Sequence, residues 1–198
     1  MDFFEVVKRR RSVRRYADEP VPEEHLRLML EAARLAPSAT NEQPWRFIVV
    51  RNNELKQAMH DVVQAMLEAH IEAAGSEERR EHVRSMRFYA THFVRAPVVA
   101  AVLARPWPAA RPAPRQVFDP GLQSVAAAVS QLVLAATALG YASCWATSPV
   151  DFAGAELGAL LALEPPWYLV AIVSLGKAAD APAPAPRKPL EEIARFVD

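Results

Sequence analysis

The chain has 198 residues, 52% hydrophobic and 23% charged, with a formal net charge of zero. That composition lies far from the disordered regime and lacks the surplus of Lys and Arg expected of a general nucleic-acid binder. A chain of this length makes one domain burying roughly 70% of its unfolded surface. Cys144 is the single cysteine, which excludes an intrachain disulfide. The amino terminus runs into Arg residues before any apolar stretch of signal-peptide length, and no run approaches the ~20 apolar residues of a spanning helix. We therefore expect a cytoplasmic protein with no membrane or nucleic-acid partner.

Residues 2–10 read as a short helix leading into Arg10-Arg11-Ser12-Val13-Arg14. A second helix spans 22–35, with Pro22 suited to its first position, Glu23 and Glu24 complementing the helix dipole, and Leu26, Met29, Leu30 and Ala33 at helical spacing. Pro37 ends it and opens the loop Pro37-Ser38-Ala39-Thr40-Asn41-Glu42-Gln43-Pro44-Trp45, after which Phe47–Val50 reads as a strand. Helices follow over 53–74 and 76–93. The charges of the second favour a surface hairpin over a mobile cover. Val98–Ala104 is a strand, and the Pro-rich stretch 105–115 an extended loop, so that 53–118 forms a helical and proline-rich cover region. The longest helix, 121–139, is apolar on nearly all sides and belongs in a core or a subunit interface, with Gly140 as its cap. Residues 141–146 are extended, 152–163 helical, and Trp167–Leu175 a strand ending at Gly176. The tail, with Pro182, Pro184, Pro186 and Pro189, is expected to cross another surface. This order is α+β, with too few alternating βαβ units for a doubly wound fold.

Arg10, Arg11 and Arg14 offer guanidinium forks and Ser12 a hydroxyl, groups that hold phosphate through short charge-assisted bonds. Ser38, Asn41 and Gln43 are donors and acceptors of modest reach held in a turn, suited to the edge of a planar polar heterocycle. A basic run by itself is most often a solvated face, so the weight rests on the combination. The histidines, His25, His60, His70, His82 and His92, show no metal-ligand spacing.

Four motifs in register, the basic run, the 37–45 loop, Leu139-Gly140-Tyr141-Ala142-Ser143-Cys144-Trp145, and Ser174-Leu175-Gly176 with Arg187-Lys188-Pro189-Leu190, resemble the flavin-dependent nitroreductase family. The resemblance implies a three-layer α/β/α sandwich with a central mixed, mainly antiparallel sheet. It further implies a homodimer with swapped terminal segments and an FMN held by both subunits at each site. On this basis Arg10 and Ser12 grip the phosphate or ribityl chain, and Arg11 is a further cofactor-binding residue. Arg14 meets the pyrimidine edge, where a fixed cation favours the anionic reduced ring and raises its potential. Pro37, Ser38, Ala39, Asn41 and Gln43 face the cofactor from the other subunit, and Arg187 is a late phosphate ligand. Trp145, Ala146, Thr147 and Ser148 lie along the central ring and offer a backbone amide to nitrogen 5. The chain departs from the family pattern there, with Ala146-Thr147-Ser148 in place of Gly or Glu, and again before Arg187, where Ala185 and Pro186 supply no second cation.

The implied reaction passes hydride from NADPH or NADH through flavin to a nitroaromatic, quinone or similar small acceptor by ping-pong exchange, with no catalytic side chain required. The alternatives are a flavin-fragmenting relative, a reductive dehalogenase or a non-catalytic flavin-binding protein. The dehalogenase reading is weakened by the absence of lysine between Lys56 and Lys177, for which Arg84 or Arg87 is an imperfect substitute.

Overall fold

The computed structural model describes residues 2–107, 119–180 and 182–197. One sheet is built from β1 (Trp45–Val50), β2 (Val98–Ala104), β3 (Ala142–Ala146) and β4 (Tyr168–Gly176). Their order is β1-β2-β4-β3, and every neighbouring pair runs antiparallel. Each residue of β2 is buried, and the pleat sorts them between two cores. Val98, Ala100, Val102 and Ala104 face the first, closed by α2 (Glu23–Arg34) and α5 (Pro120–Ala138) through Leu26, Met29, Val129 and Leu132. Val99, Ala101 and Leu103 face the second, closed by α3 (Asn53–Ala73), α4 (Glu77–Thr91) and α6 (Ser148–Leu160) through Met59, Val63, Ala90 and Leu157. This is the three-layer α/β/α sandwich that the resemblance implies. Its parallel component, among the described residues, is the bridge between Ser12 and Ser143.

The strand expected from Phe47 begins two residues earlier, because Trp45 pairs with Ala104 and buries its indole in the first core. Pro22 stands just outside α2, as its amino-terminal cap. The helix expected over 152–163 instead starts at Ser148, with Pro149 in its first turn, and ends at Leu160. It stops because Ala162 adopts a left-handed conformation (φ 52°), letting Ala162 and Leu163 donate back to Ala159 and Gly158 at 3.0 and 2.9 Å. Gly140 (φ 78°) ends α5 in the same way, with its amide and that of Tyr141 bonded to Thr137 and Ala136. Gly176 ends β4 where Pro97 and Tyr16 close over it, and a Cβ there would meet Pro97 Cδ at 2.6 Å.

By length and composition α5 is apolar enough to cross a membrane, but Val125, Ala128, Val129, Leu132, Val133 and Ala136 fill the first core. A part-exposed stripe remains along it: Gln123, Ala127, Ser130 and Leu134, recurring at helical spacing. The charged face of α4 pairs with itself and with α3. Arg84 reaches Glu77 at 2.7 Å and Glu81 at 3.4 Å, and Arg87 binds Glu68. α1 (Phe3–Arg9) packs on α5, and the tail holds one turn, α7 (Leu190–Ile193). Within the expected loop over 105–115, Arg105 bonds Glu42 at 2.7 Å; residues 108–115 lie outside the described residues.

Candidate functional site

Beyond α1 the chain runs extended along the edge of the sheet. Val13 N–H donates to Ser143 O at 2.9 Å, Ala17 N–H to Lys177 O at 3.0 Å, and Ala179 N–H to Arg15 O at 3.1 Å. Tyr16 clamps this arm from within: its hydroxyl donates to Val13 O at 2.6 Å and accepts from the Ser174 hydroxyl at 2.7 Å. Burial pushes the Tyr16 phenol well above its ordinary pKa, so it stays a neutral donor.

Extended backbone sends alternate side chains to opposite sides. Arg10 and Ser12 therefore line one cavity of about 440 Å³ with Val7, Ser130, Ser143 and Trp145. Arg11 and Val13 line another, of about 560 Å³, with Arg9, Tyr141 and Asp180. Arg11 does not share the cavity of Arg10, and its guanidinium is engaged by the carbonyls of Lys8 and Arg10.

Arg14 turns toward α4. Its guanidinium carbon lies 5.1 Å from the Tyr89 ring centroid, and Nη1 is 3.5 Å from Ser12 O. Its Nε is buried without a hydrogen-bond partner among the described residues. A half-buried cation suits an anionic or electron-rich partner, because burying an unpaired charge is costly. Beside it His92 is 3% exposed, and its Nδ1 lies 3.1 Å from Tyr89 O. Burial pushes the His92 pKa down to about 4, with the Arg14 charge adding to the fall, so the ring is neutral at pH 7. Burial likewise raises the Cys144 thiol, against the opposing charges of Arg14 and Arg10.

The 37–43 loop holds its own shape at some conformational cost. Thr40, Asn41 and Gln43 all have positive φ, at 51°, 57° and 47°, a strained state for side chains with a Cβ. Ser38 Oγ accepts from Gln43 N–H and Ser124 Oγ from Ala39 N–H, each at 3.1 Å. Gln43 Nε2 donates to Asn41 at 3.3 Å. Pro37, Ser38 and Ala39 line a groove of about 420 Å³ against Gln123 and Ala127. The cavity of Arg10 and Ser12 abuts the same helix stripe at Ser130 and Leu134, about 10 Å further along at 1.5 Å per residue. Loop and arm thus line separate cavities along one face of one chain.

Trp145 and Ala146 end β3, while Thr147 caps α6 and Ser148 opens it. Trp145, 42% exposed, shares the cavity of Arg10. Ser148 is buried, with Oγ donating to Tyr89 O at 3.4 Å. Arg187 is exposed in the tail and donates to the carbonyls of Ala185 and Pro186 at 3.3 and 3.1 Å, apart from the other site residues.

The model of the nitroreductase family matches residues 7–177. The chain belongs to the nitroreductase family. Among its relatives, the "NADH dehydrogenase" of Thermus thermophilus is 32% identical over 193 residues, spanning 93% of this chain and 91% of that protein. A BluB-like flavoprotein of Clostridium difficile 630 superposes with a TM-score of 0.90 at 27% identity, over 100% of both chains. An iodotyrosine deiodinase bound to FMN and 3-iodo-L-tyrosine superposes with a TM-score of 0.78 at 27% identity, again over 100% of both chains. Membership in the family makes the chain an oxidoreductase.

Within this nitroreductase fold, three residues that the sequence reading did not single out shape the site. Tyr16 fixes the arm, and Tyr89 and His92 surround Arg14. Tyr16 was findable, because it continues the alternation of Arg10, Ser12 and Arg14 along an extended segment. Tyr89 and His92 belong to a helical segment whose charges advertise only a surface, and their meeting with Arg14 is a tertiary fact.

Proposed function

We propose that the chain is a homodimeric FMN-dependent oxidoreductase that moves hydride from NADPH or NADH to a small electron-poor acceptor such as a nitroaromatic or quinone. The observation that carries this reading is the arm: Arg10 and Ser12 turned into one cavity and the Arg14 guanidinium half-buried beyond them, on backbone pinned to the sheet. The donor set fits the phosphate, ribityl and pyrimidine portions of FMN.

When bound, FMN supplies the hydride relay between donor and acceptor in ping-pong order. Arg10 and Ser12 hold its phosphate side, and Arg14 places a positive charge where negative charge develops on reduction. Trp145 to Ser148 form the wall along the ring. Pro37 to Gln43 come from the partner subunit, with Arg187 completing the phosphate grip from a swapped tail. Support for the dimer comes from the part-exposed stripe of α5 between the half-sites and from apolar side chains left in water, Phe4 at 69% and Phe196 at 86% exposure among them. The dehalogenating alternative needs a free cation over the ring, and Arg84 and Arg87 are engaged in ion pairs on α4.

The test is the visible spectrum under anaerobic conditions. We expect a bound flavin band that bleaches with NADPH or NADH and returns on adding a quinone. A flavin unmoved by both donors would favour the non-catalytic reading, and one destroyed irreversibly by air after reduction would favour flavin fragmentation.

A further inference from the structure

Two buried nitrogen atoms of opposite hydrogen-bonding character lie behind the arm without partners among the described residues: Nε of Arg14 and Nε2 of His92. A guanidinium Nε–H can only donate. The character of the imidazole follows from its other nitrogen. Nδ1 lies 3.1 Å from the carbonyl of Tyr89, which can only accept, so Nδ1 carries the proton and Nε2 of the neutral ring is a bare acceptor. Both side chains are anchored on the same residue from two sides, the guanidinium over the Tyr89 ring at 5.1 Å and the imidazole on the Tyr89 carbonyl. A buried donor lacking an acceptor and a buried acceptor lacking a donor, held on one residue, are costly twice over, and one enclosed water relieves both.

We infer that His92 is a positioning residue for Arg14: one enclosed water accepts from Arg14 Nε–H and donates to His92 Nε2, and this bridge sets where the cation points. A neutral acceptor has a particular merit here. It orients the guanidinium without cancelling its charge, whereas a carboxylate at the same place would form an ion pair and take away the field that Arg14 exerts on its surroundings. The bridge itself stands independently of any ligand; its consequence for the flavin rests on the reading proposed above.

The test compares the FMN-loaded protein with His92→Gln, whose side-chain carbonyl keeps an acceptor, and His92→Phe, which fills similar space without one. By nitrogen-15 NMR the Arg14 Nε–H should exchange slowly with solvent in wild type and His92→Gln and about tenfold or more faster in His92→Phe, the loss expected for one bond to a charged group. Exchange in wild type as fast as that of exposed Arg95 overturns the proposal without needing any variant to fold, as does equal protection in wild type and His92→Phe. The affinity ratio of reduced to oxidised FMN should fall about tenfold in His92→Phe, hold in His92→Gln, and fall no further in the Arg14→Ala/His92→Phe double variant than in Arg14→Ala. Additive losses would mean that His92 acts apart from Arg14 and would overturn the positioning role. If Arg14→Ala alone leaves the ratio unmoved while protection follows His92 as expected, the placement of Arg14 at the flavin fails and the bridge stands.

Discussion

The arm over 10–17 and the tail over 182–197 carry similar chemistry, basic side chains on extended backbone, yet they stand in opposite physical states. The arm is stitched to β3 and the end of β4 by backbone bonds and locked by the Tyr16 hydroxyl, so Arg10, Ser12 and Arg14 are aimed before any ligand arrives. The tail buries nothing on its own body: its residues are exposed, and its one helical turn has no buried face. The difference divides the proposed site into a preorganised half, whose entropy cost is met during folding, and a contingent half, whose cost falls at assembly.

Removing residues 181–198 tests the contingent half and should have the largest effect. We expect the far-UV circular dichroism of the body to persist, while subunit affinity measured by sedimentation falls by several kcal/mol. The estimate is about 1.5–3 kcal/mol for each of Leu190, Ile193 and Phe196 buried against another copy. Unchanged assembly would remove the tail from the interface.

The preorganised half should instead be sensitive to pH. His92 titrates near 4 in the folded chain against an ordinary 6.5, so between those values the unfolded chain binds the extra proton. Its contribution is complete above pH 6.5 and is lost as pH falls toward 4, by about 3 kcal/mol in total. Urea midpoints across this range should show the slope in wild type and lose that component in His92→Gln. Tyr16→Phe should cost about 1–3 kcal/mol, by leaving buried polar partners unmet, and should weaken FMN binding because the arm loosens. A variant with full stability and full affinity would show that backbone bonds alone fix the arm. Ala162→Gly, far from both regions, should raise stability by about 0.5–1 kcal/mol with FMN affinity unchanged, because glycine adopts the left-handed conformation without penalty. It sets the scale for an effect that is stability alone.

Much of this architecture was legible because its signals are local. Gly140 marks the end of α5, and strongly apolar character over 98–104 and 167–175 marks the buried strands. Where the reading missed, the deciding feature was a backbone turn or a distant neighbour that residue type does not announce. α6 ends at Leu160, short of the expected 163, because the left-handed turn at Ala162 satisfies the last carbonyls. Trp45 joins β1 because a core awaits its ring. Within the site, motif residues were visible but their partition was not: the pleat sends Arg11 away from Arg10 and Ser12, and only the helix packed behind the arm reveals His92 and Tyr89 beside Arg14. The contribution of Arg187 leaves no trace within one chain, since the surface it is proposed to meet belongs to another.

The claim that two half-sites on separate chains make one flavin site is tested most directly by native mass spectrometry of the purified protein. The account predicts two chains carrying two FMN, with flavin lost in step with dissociation. A monomer that retains a full complement of FMN would contradict it.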